Sequence, residues 1–160
     1  MFQDFEENNG TPPGAGNYFW DAWFTSCGFN PSGVPAFQGT RAACCRASAQ
    51  EKGQGSDHGG TLGINPASQF PLDLSSAGYI GIYVFDTQGS NTVELKLRDG
   101  NDRVSTSVWS AKKAQQNQWT LVTWPLTSTS FVNVDKSRIK NIELYEWNDG
   151  FYCFDYGFFQ

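Results

Sequence analysis

The stretch "YIGIYVFDTQGSNTVELKLRDGNDRVSTSVW" (residues 79–109) decides how the rest of the chain is read. Side chains alternate between the two faces of a strand. In "YIGIYVF" this puts Ile80, Ile82 and Val84 on one face and Tyr79, Gly81, Tyr83 and Phe85 on the other. In "TVELKLR" it sends Val93, Leu95 and Leu97 inward and Glu94, Lys96 and Arg98 outward. In "RVSTSVW" it sends Val104, Thr106 and Val108 inward and Ser105, Ser107 and Trp109 outward. Turn residues such as "RDGND" separate the runs.

The same pattern continues downstream in "WTLVTWPL" (119–126), "IKNIELYEW" (139–147) and "FYCFDYGFF" (151–159). Upstream, "NNGTPPGAGN", "NPSGVP" and "EKGQGSDHGGTLGINP" are clusters of Gly, Pro, Asn and Ser that break any regular period, so loops are expected there. "FQDFE" and "TRAACCRASA" are the strand candidates between them, although the alanines of the second also suit a helix. No helical stripe interrupts the strand-like runs. The expected architecture is all-β, an antiparallel β-sandwich of two sheets. With 160 residues, 17 of them glycine, and few charges, the chain is expected to form a single domain over 1–160.

The outward residues are the informative ones. "IELYEWNDG" (142–150) sends Ile142 and Leu144 one way and Glu143, Tyr145 and Trp147 the other. If its strand lies near the three runs above, Tyr83, Trp109, Tyr145 and Trp147 form one aromatic platform among Glu94, Lys96, Arg98 and Glu143. A sugar ring packs its apolar C–H face on an aromatic ring while its hydroxyl rim takes hydrogen bonds from planar polar groups, which is what such a mixture supplies. Asp149 is a further acceptor. The plainer alternative is that these aromatics pack beneath loops as a second small core.

Other chemistries have less support. The net charge of −5 and the scattered Lys and Arg residues speak against a nucleic-acid surface. No apolar stretch is long enough to span a bilayer, and "MFQDFEENNG" lacks the basic and apolar regions of a leader. Cys27, Cys44, Cys45 and Cys153 suit two disulfides in an oxidising compartment, with buried free thiols the alternative for at least one pair, and match no zinc spacing. Neighbouring Cys44 and Cys45 should point to opposite faces of a strand. His58, in "GSDHGG", reads as a loop histidine without triad partners. Glu94 and Glu143 on one face leave open a glycoside hydrolase, which needs a carboxylate pair. An adhesive or structural sandwich is the third class.

Taken in order, "FQDFE", "FQGTRAACCRA", "FPLDLSSAGYIGIYVF", "WTLVTWPLT" and "FYCFDYGFF" resemble the elements of the calcium-containing β-sandwich carbohydrate-binding modules of the galactose-binding-like, jelly-roll group, such as families 4, 11 and 22. The resemblance implies a structural Ca²⁺ between the opening segment and the closing strand. Glu6 and Asp155 would be its side-chain ligands, and the carbonyls of Gln38 and Thr40 would complete the shell. Asp4 is a weaker candidate, and an alternative for Asp155 is a turn cap or a pair with Arg41. It also implies a cleft binding β-glucan or xylan chains on the polar aromatic face. "NYFWDAWF" is read as a loop that adds Tyr18, Trp20 or Trp23 at the rim or plugs one end of the sandwich. Trp119 and Trp124 match buried positions of the family, with Trp124 the firmer core residue. The expected protein is a non-catalytic, secreted polysaccharide-binding module attached to the catalytic domain of a larger glycan-degrading protein.

Overall fold

The computed structural model describes residues 18–23, 25–29, 34–47, 59–64, 71–89, 92–146 and 150–160. Ten strands run through them: β1 (Tyr18–Trp23), β2 (Thr25–Phe29), β3 (Ala43–Ala47), β4 (Gly59–Ile64), β5 (Tyr79–Asp86), β6 (Glu94–Asp99), β7 (Val108–Trp109), β8 (Trp119–Pro125), β9 (Ile139–Glu146) and β10 (Gly150–Phe159). They form two five-stranded sheets, ordered β1-β4-β9-β6-β7 and β2-β3-β10-β5-β8, and every named strand pairing is antiparallel. From β4 to β10 the chain crosses between the sheets at nearly every step. Consecutive segments therefore face each other across the core rather than pairing side by side, as in a jelly-roll sandwich. The expected all-β antiparallel sandwich is the one observed.

The alternation that defined the strands also builds the core. Ile80, Ile82 and Val84 from β5, Leu95 and Leu97 from β6, Val122 and Trp124 from β8, Ile142 and Leu144 from β9, and Tyr152 and Phe154 from β10 pack in one buried cluster between the sheets. Trp124 is fully buried, as its position in "WTLVTWPL" implied, and its indole N–H donates to the Val93 carbonyl at 3.0 Å. That bond ties β8 of one sheet to the start of β6 in the other. Truncating so large a buried side chain typically costs about 3–5 kcal/mol.

Three sequence expectations fail locally. "EKGQGSDHGGTLGINP" reads as a loop, yet β4 lies inside it. Its backbone is held on both sides, by β1 and by β9, so cross-strand pairing overrides the poor strand propensity of its glycines. "NYFWDAWF" likewise reads as a loop but contains β1, an edge strand paired to β4. In "RVSTSVW" the alternation breaks: Ser105 is buried and Thr106 exposed. The Ser105 hydroxyl accepts from the Leu97 N–H at 2.9 Å, in the role of a ladder carbonyl. Only an isolated bridge at Val104 and the two residues of β7 pair with β6. The opening segment "FQDFE" lies outside the described residues.

The outer face of the second sheet is roofed. Ala42, Cys44 and Cys153 are buried there beneath Val34, Ala36, Phe85, Trp119 and Phe151. Cys44 and Cys153 stand opposite each other in the β3–β10 register and form a disulfide. Cys45, on the other face of β3, belongs to the main core and is also disulfide-bonded, with Cys27 its register partner in β2. Adjacent cysteines thus serve opposite faces, as the strand reading required.

Candidate functional site

The outer face of the first sheet is laid out by register. One row of paired positions runs Trp109–Glu94–Tyr145–Thr61–Asp21, the next Lys96–Glu143–Gly63–Phe19, and the third Arg98–Asn141. Paired residues of antiparallel strands share a face. Glu94, Lys96, Arg98, Trp109, Glu143 and Tyr145 therefore form one surface, as the sequence pattern proposed. Glycine at position 63 leaves the sheet without a side chain beside Glu143.

A polar network holds this surface. Glu143 Oε1 accepts from Arg98 Nε at 3.0 Å and from Asn141 Nδ2 at 3.1 Å, while its Oε2 accepts from the Tyr145 hydroxyl at 2.8 Å. Glu94 Oε1 accepts from the Ser107 hydroxyl and lies 3.4 Å from Lys96 Nζ. Lys96 Nζ also sits 4.5 Å from the centre of the Tyr145 ring, a cation–π contact. Both carboxylates are buried, at 4% exposure for Glu94 and 3% for Glu143. Their position on the outer face suggested acceptors for ligand hydroxyls. The structure makes them the anchors of the cations and of Tyr145 instead, because a buried carboxylate needs donors close at hand. Trp109 is 50% exposed, at the edge of the sheet next to Glu94. Among the described residues the enclosed Oδ1 of Asn141 has no hydrogen-bond partner.

Tyr83 is not part of this surface. It lies on β5, between β10 and β8 in the other sheet, and points to that sheet's outer face. There it stacks on Phe37 with ring centres 3.5 Å apart and an interplanar angle of 14°, and it meets the Tyr156 ring at 6.5 Å. The plainer alternative, aromatics packed under a loop, is therefore the one that holds for Tyr83. Alternation within one strand fixes the face but not the sheet to which the strand belongs. Trp119 joins the same cluster, stacking edge-on to Phe85 and donating its indole N–H to the Pro35 carbonyl at 3.0 Å.

Register also separates the two N-terminal tryptophans. Position 20 stands opposite Leu62, in the row that continues through Leu144 and Leu95, both core residues. Position 23 stands opposite Gly59, on the strand face shared with position 21. Tyr18 takes the position opposite Ile64 at the other end of β1. Trp147, Asp149, His58, Asp4 and Glu6 lie outside the described residues.

Of the residues implied for Ca²⁺, Asp155 is fully buried on β10. One carboxylate oxygen accepts from the Gln38 N–H at 3.0 Å and the other from the Tyr156 N–H at 2.7 Å. The second bond sits at an irregularity where β10 slips register against β5 and Tyr156 takes a left-handed φ of 47°. Asp155 thus joins the closing strand to the loop carrying Gln38 and Thr40, and it also caps the bulge. Among the described residues no group of three or more His, Cys, Asp or Glu side chains is placed to hold a metal.

A structural carboxylate that sequence reasoning did not single out is Asp99, at the end of β6. It accepts from the N–H groups of Asn101, Arg103 and Asp135 and from Arg103 Nε at 2.7 Å. Burial pushes its carboxyl up, but these four bonds together outweigh it and hold the pKa at about 2. The "DGNDR" turn signal was the available hint.

No family model matches the chain, and no curated protein does. Solved structures do. A family 11 carbohydrate-binding module of a cellulosomal cellulase from Clostridium thermocellum superposes with a TM-score of 0.58 at 14% identity, over 98% of this chain and 91% of that one. A family 30 module gives 0.56 at 11% identity, over 81% of this chain and 70% of that one. An exo-beta-agarase gives 0.64 at 14% identity over 98% of this chain, which spans about a quarter of the agarase's length (24%). The chain has the β-sandwich fold of carbohydrate-binding modules, matched over most of each module and over only a part of the enzyme.

Proposed function

We propose that this domain binds a polysaccharide chain on the outer face of the β1-β4-β9-β6-β7 sheet. The observation that carries the reading is the half-exposed Trp109 next to Glu94, in one row with Tyr145 and against the buried glutamate–cation network. A large aromatic left in water next to ordered donors suits a sugar ring, which needs one apolar plane and several hydrogen-bonding groups. β-Glucan chains are the first candidates and xylan the next, since a family 11 module of this fold was solved with a β-1,3-1,4-mixed-linked tetrasaccharide and a chain carrying a family 22 module with xylohexaose. The alternative of a glycoside hydrolase built on Glu94 and Glu143 is less well supported. Glu143 has donors on both oxygens and Glu94 is held by Ser107 and Lys96, so neither carboxylate stands ready to protonate or attack a glycosidic bond.

The domain's contribution would be to raise the local concentration of an attached catalytic domain on its polysaccharide, which needs no chemistry here. In the family 22 case, one solved chain carries that module together with an endo-xylanase. The disulfides suit an extracellular setting, and among the described residues no helix is long and apolar enough to cross a membrane. The deciding experiment is affinity electrophoresis of wild type and Trp109→Ala in gels containing soluble glucans, xylans or mannans, with reducing ends assayed in parallel. Retardation of the wild type, lost in the variant and without new reducing ends, is expected. Retardation unchanged in the variant would move the site elsewhere, and released reducing ends would revive the hydrolase.

A structural Ca²⁺ is proposed at Asp155 on the same physical terms. A fully buried carboxylate held against the segment that carries Gln38 and Thr40 would suit an oxygen-liganded cation, with the carbonyls of Gln38 and Thr40 as partners and Glu6 as the further acid. Bound there, the ion would add stability without touching sugar. Added Ca²⁺ should raise the melting temperature of the wild type and not that of Asp155→Asn. An equal response in both proteins would remove Asp155 from the site.

A further inference from the structure

We infer that the glycan taken by this face is acidic, carrying an oxyanion substituent that pairs with Arg98. The inference rests on the carbohydrate-binding reading and sharpens it. Its basis is an asymmetry within the polar network. The negative charges of Glu94 and Glu143 lie beneath the surface, their side chains each 5% exposed, while the positive charges of Lys96 and Arg98 lie above them at 28% and 33%. A ligand approaching the sheet therefore meets cations first.

The donors also remain unspent. Arg98 uses Nε alone, in its bond to Glu143. Among the described residues its two terminal amino groups form a planar fork without a partner. Lys96 has, among the described residues, one carboxylate neighbour, 3.4 Å away, and a ring beneath it, which leaves ammonium hydrogens to give. Glu94 and Glu143 accept from within the protein and do not reach out for hydroxyl hydrogens, so around β6 the described side chains present their spare hydrogen-bonding capacity mainly as donors. A neutral glycan carries donors and acceptors together in its hydroxyls. A carboxylate or a sulfate ester carries acceptors alone, and a guanidinium fork meets either in bidentate fashion. Glu143 fixes the guanidinium orientation through Nε, so the fork is set before the ligand arrives.

Position along the sheet gives the same direction. Arg98 and Trp109 lie in rows four residues apart along β6, a separation of about 13 Å. A chain laid along β6 would stack one ring on Trp109 and bring the anionic substituent of a later ring to Arg98, with Lys96 between them. The chain's net charge of −5 opposes any general attraction of polyanions. Recognition would therefore depend on these two side chains and not on the field of the whole molecule.

The test compares matched glycans by isothermal titration with wild type, Arg98→Gln and Trp109→Ala. One arm sets polyuronates and glucuronoxylan against the same xylan after its carboxylates are reduced. A second sets a sulfated galactan against its desulfated form. The wild type should prefer the charged member of at least one pair by about tenfold or more, the range of a bidentate charged hydrogen bond. The arm in which this occurs identifies carboxylate or sulfate. Arg98→Gln should remove that preference, bringing the charged member down to the level of the uncharged one, whereas Trp109→Ala should abolish binding of both. Binding of neutral chains at equal strength, unaffected by Arg98→Gln, would overturn the acidic assignment while leaving the carbohydrate-binding reading in place. No binding to any member of either pair, nor to the glucans of the electrophoresis panel, would overturn both.

Discussion

The two outer faces of this sandwich start from the same kind of sequence and end differently. β5 offers Tyr79, Tyr83 and Phe85 in alternation, and β6 with β9 offers Glu94, Lys96, Arg98, Glu143 and Tyr145. On the β5 side the segment 34–41 folds over the sheet. Phe37 stacks on Tyr83, Pro35 takes the indole bond of Trp119, and a disulfide and a buried aspartate lie beneath. On the β6 side the aromatic ring at the edge stays half in water and the charges neutralise one another within the sheet. An aromatic on an outer face is thus a structural residue or a candidate binding residue according to what covers it. Its own strand carries no record of which.

Breaking the roofed side should have the largest effect on stability. The Cys44–Cys153 bond spans a sequence separation of 109 residues, and loss of so large a covalent loop typically costs about 2–4 kcal/mol. Cys153→Ser should lower the urea midpoint accordingly while leaving glycan retardation of the remaining folded protein unchanged. Loss of retardation at a concentration where circular dichroism shows native structure would mean the two faces are coupled.

The open sheet depends on Asp99 at the end of β6, and acid should expose that dependence. The folded carboxyl sits at about 2, below its unfolded value near 4, so the unfolded chain binds the proton more readily. Asp99 therefore contributes its full stabilisation above about pH 4 and loses it as the pH falls towards 2. Urea midpoints measured between pH 7 and pH 2 should show this decline. In Asp99→Asn the midpoint at pH 7 should be lower and its acid decline shallower. A decline of the same depth in the variant would assign the acid sensitivity to other carboxylates.

The smallest effects on stability separate the two faces most sharply. Tyr83→Ala removes the stacking partner of Phe37 and should cost about 1–2 kcal/mol with no change in glycan binding. Trp109→Ala, at a half-exposed edge position, should stay within about 0.5 kcal/mol of wild type yet abolish binding. The reverse pattern, with binding sensitive to Tyr83 and not to Trp109, would place the ligand on the roofed sheet.

The sequence alone determined the strand runs from Tyr79 onward apart from most of "RVSTSVW", the inward residues of β5, β6, β8 and β9, and the opposite facings of Cys44 and Cys45, because a period of two is a local property of extended backbone. It also brought Glu94, Lys96, Arg98, Trp109, Glu143 and Tyr145 into one candidate set. Tertiary structure decided what local periodicity does not encode. It placed Tyr83 on the other sheet, because sheet membership is set by long-range pairing. It turned Gly59–Ile64 and Tyr18–Trp23 into strands, because a partner on one or both sides can hold a backbone whose own preference is weak. It buried Glu94 and Glu143 under the cations they anchor, because a carboxylate's depth depends on which donors the neighbouring strands bring beside it.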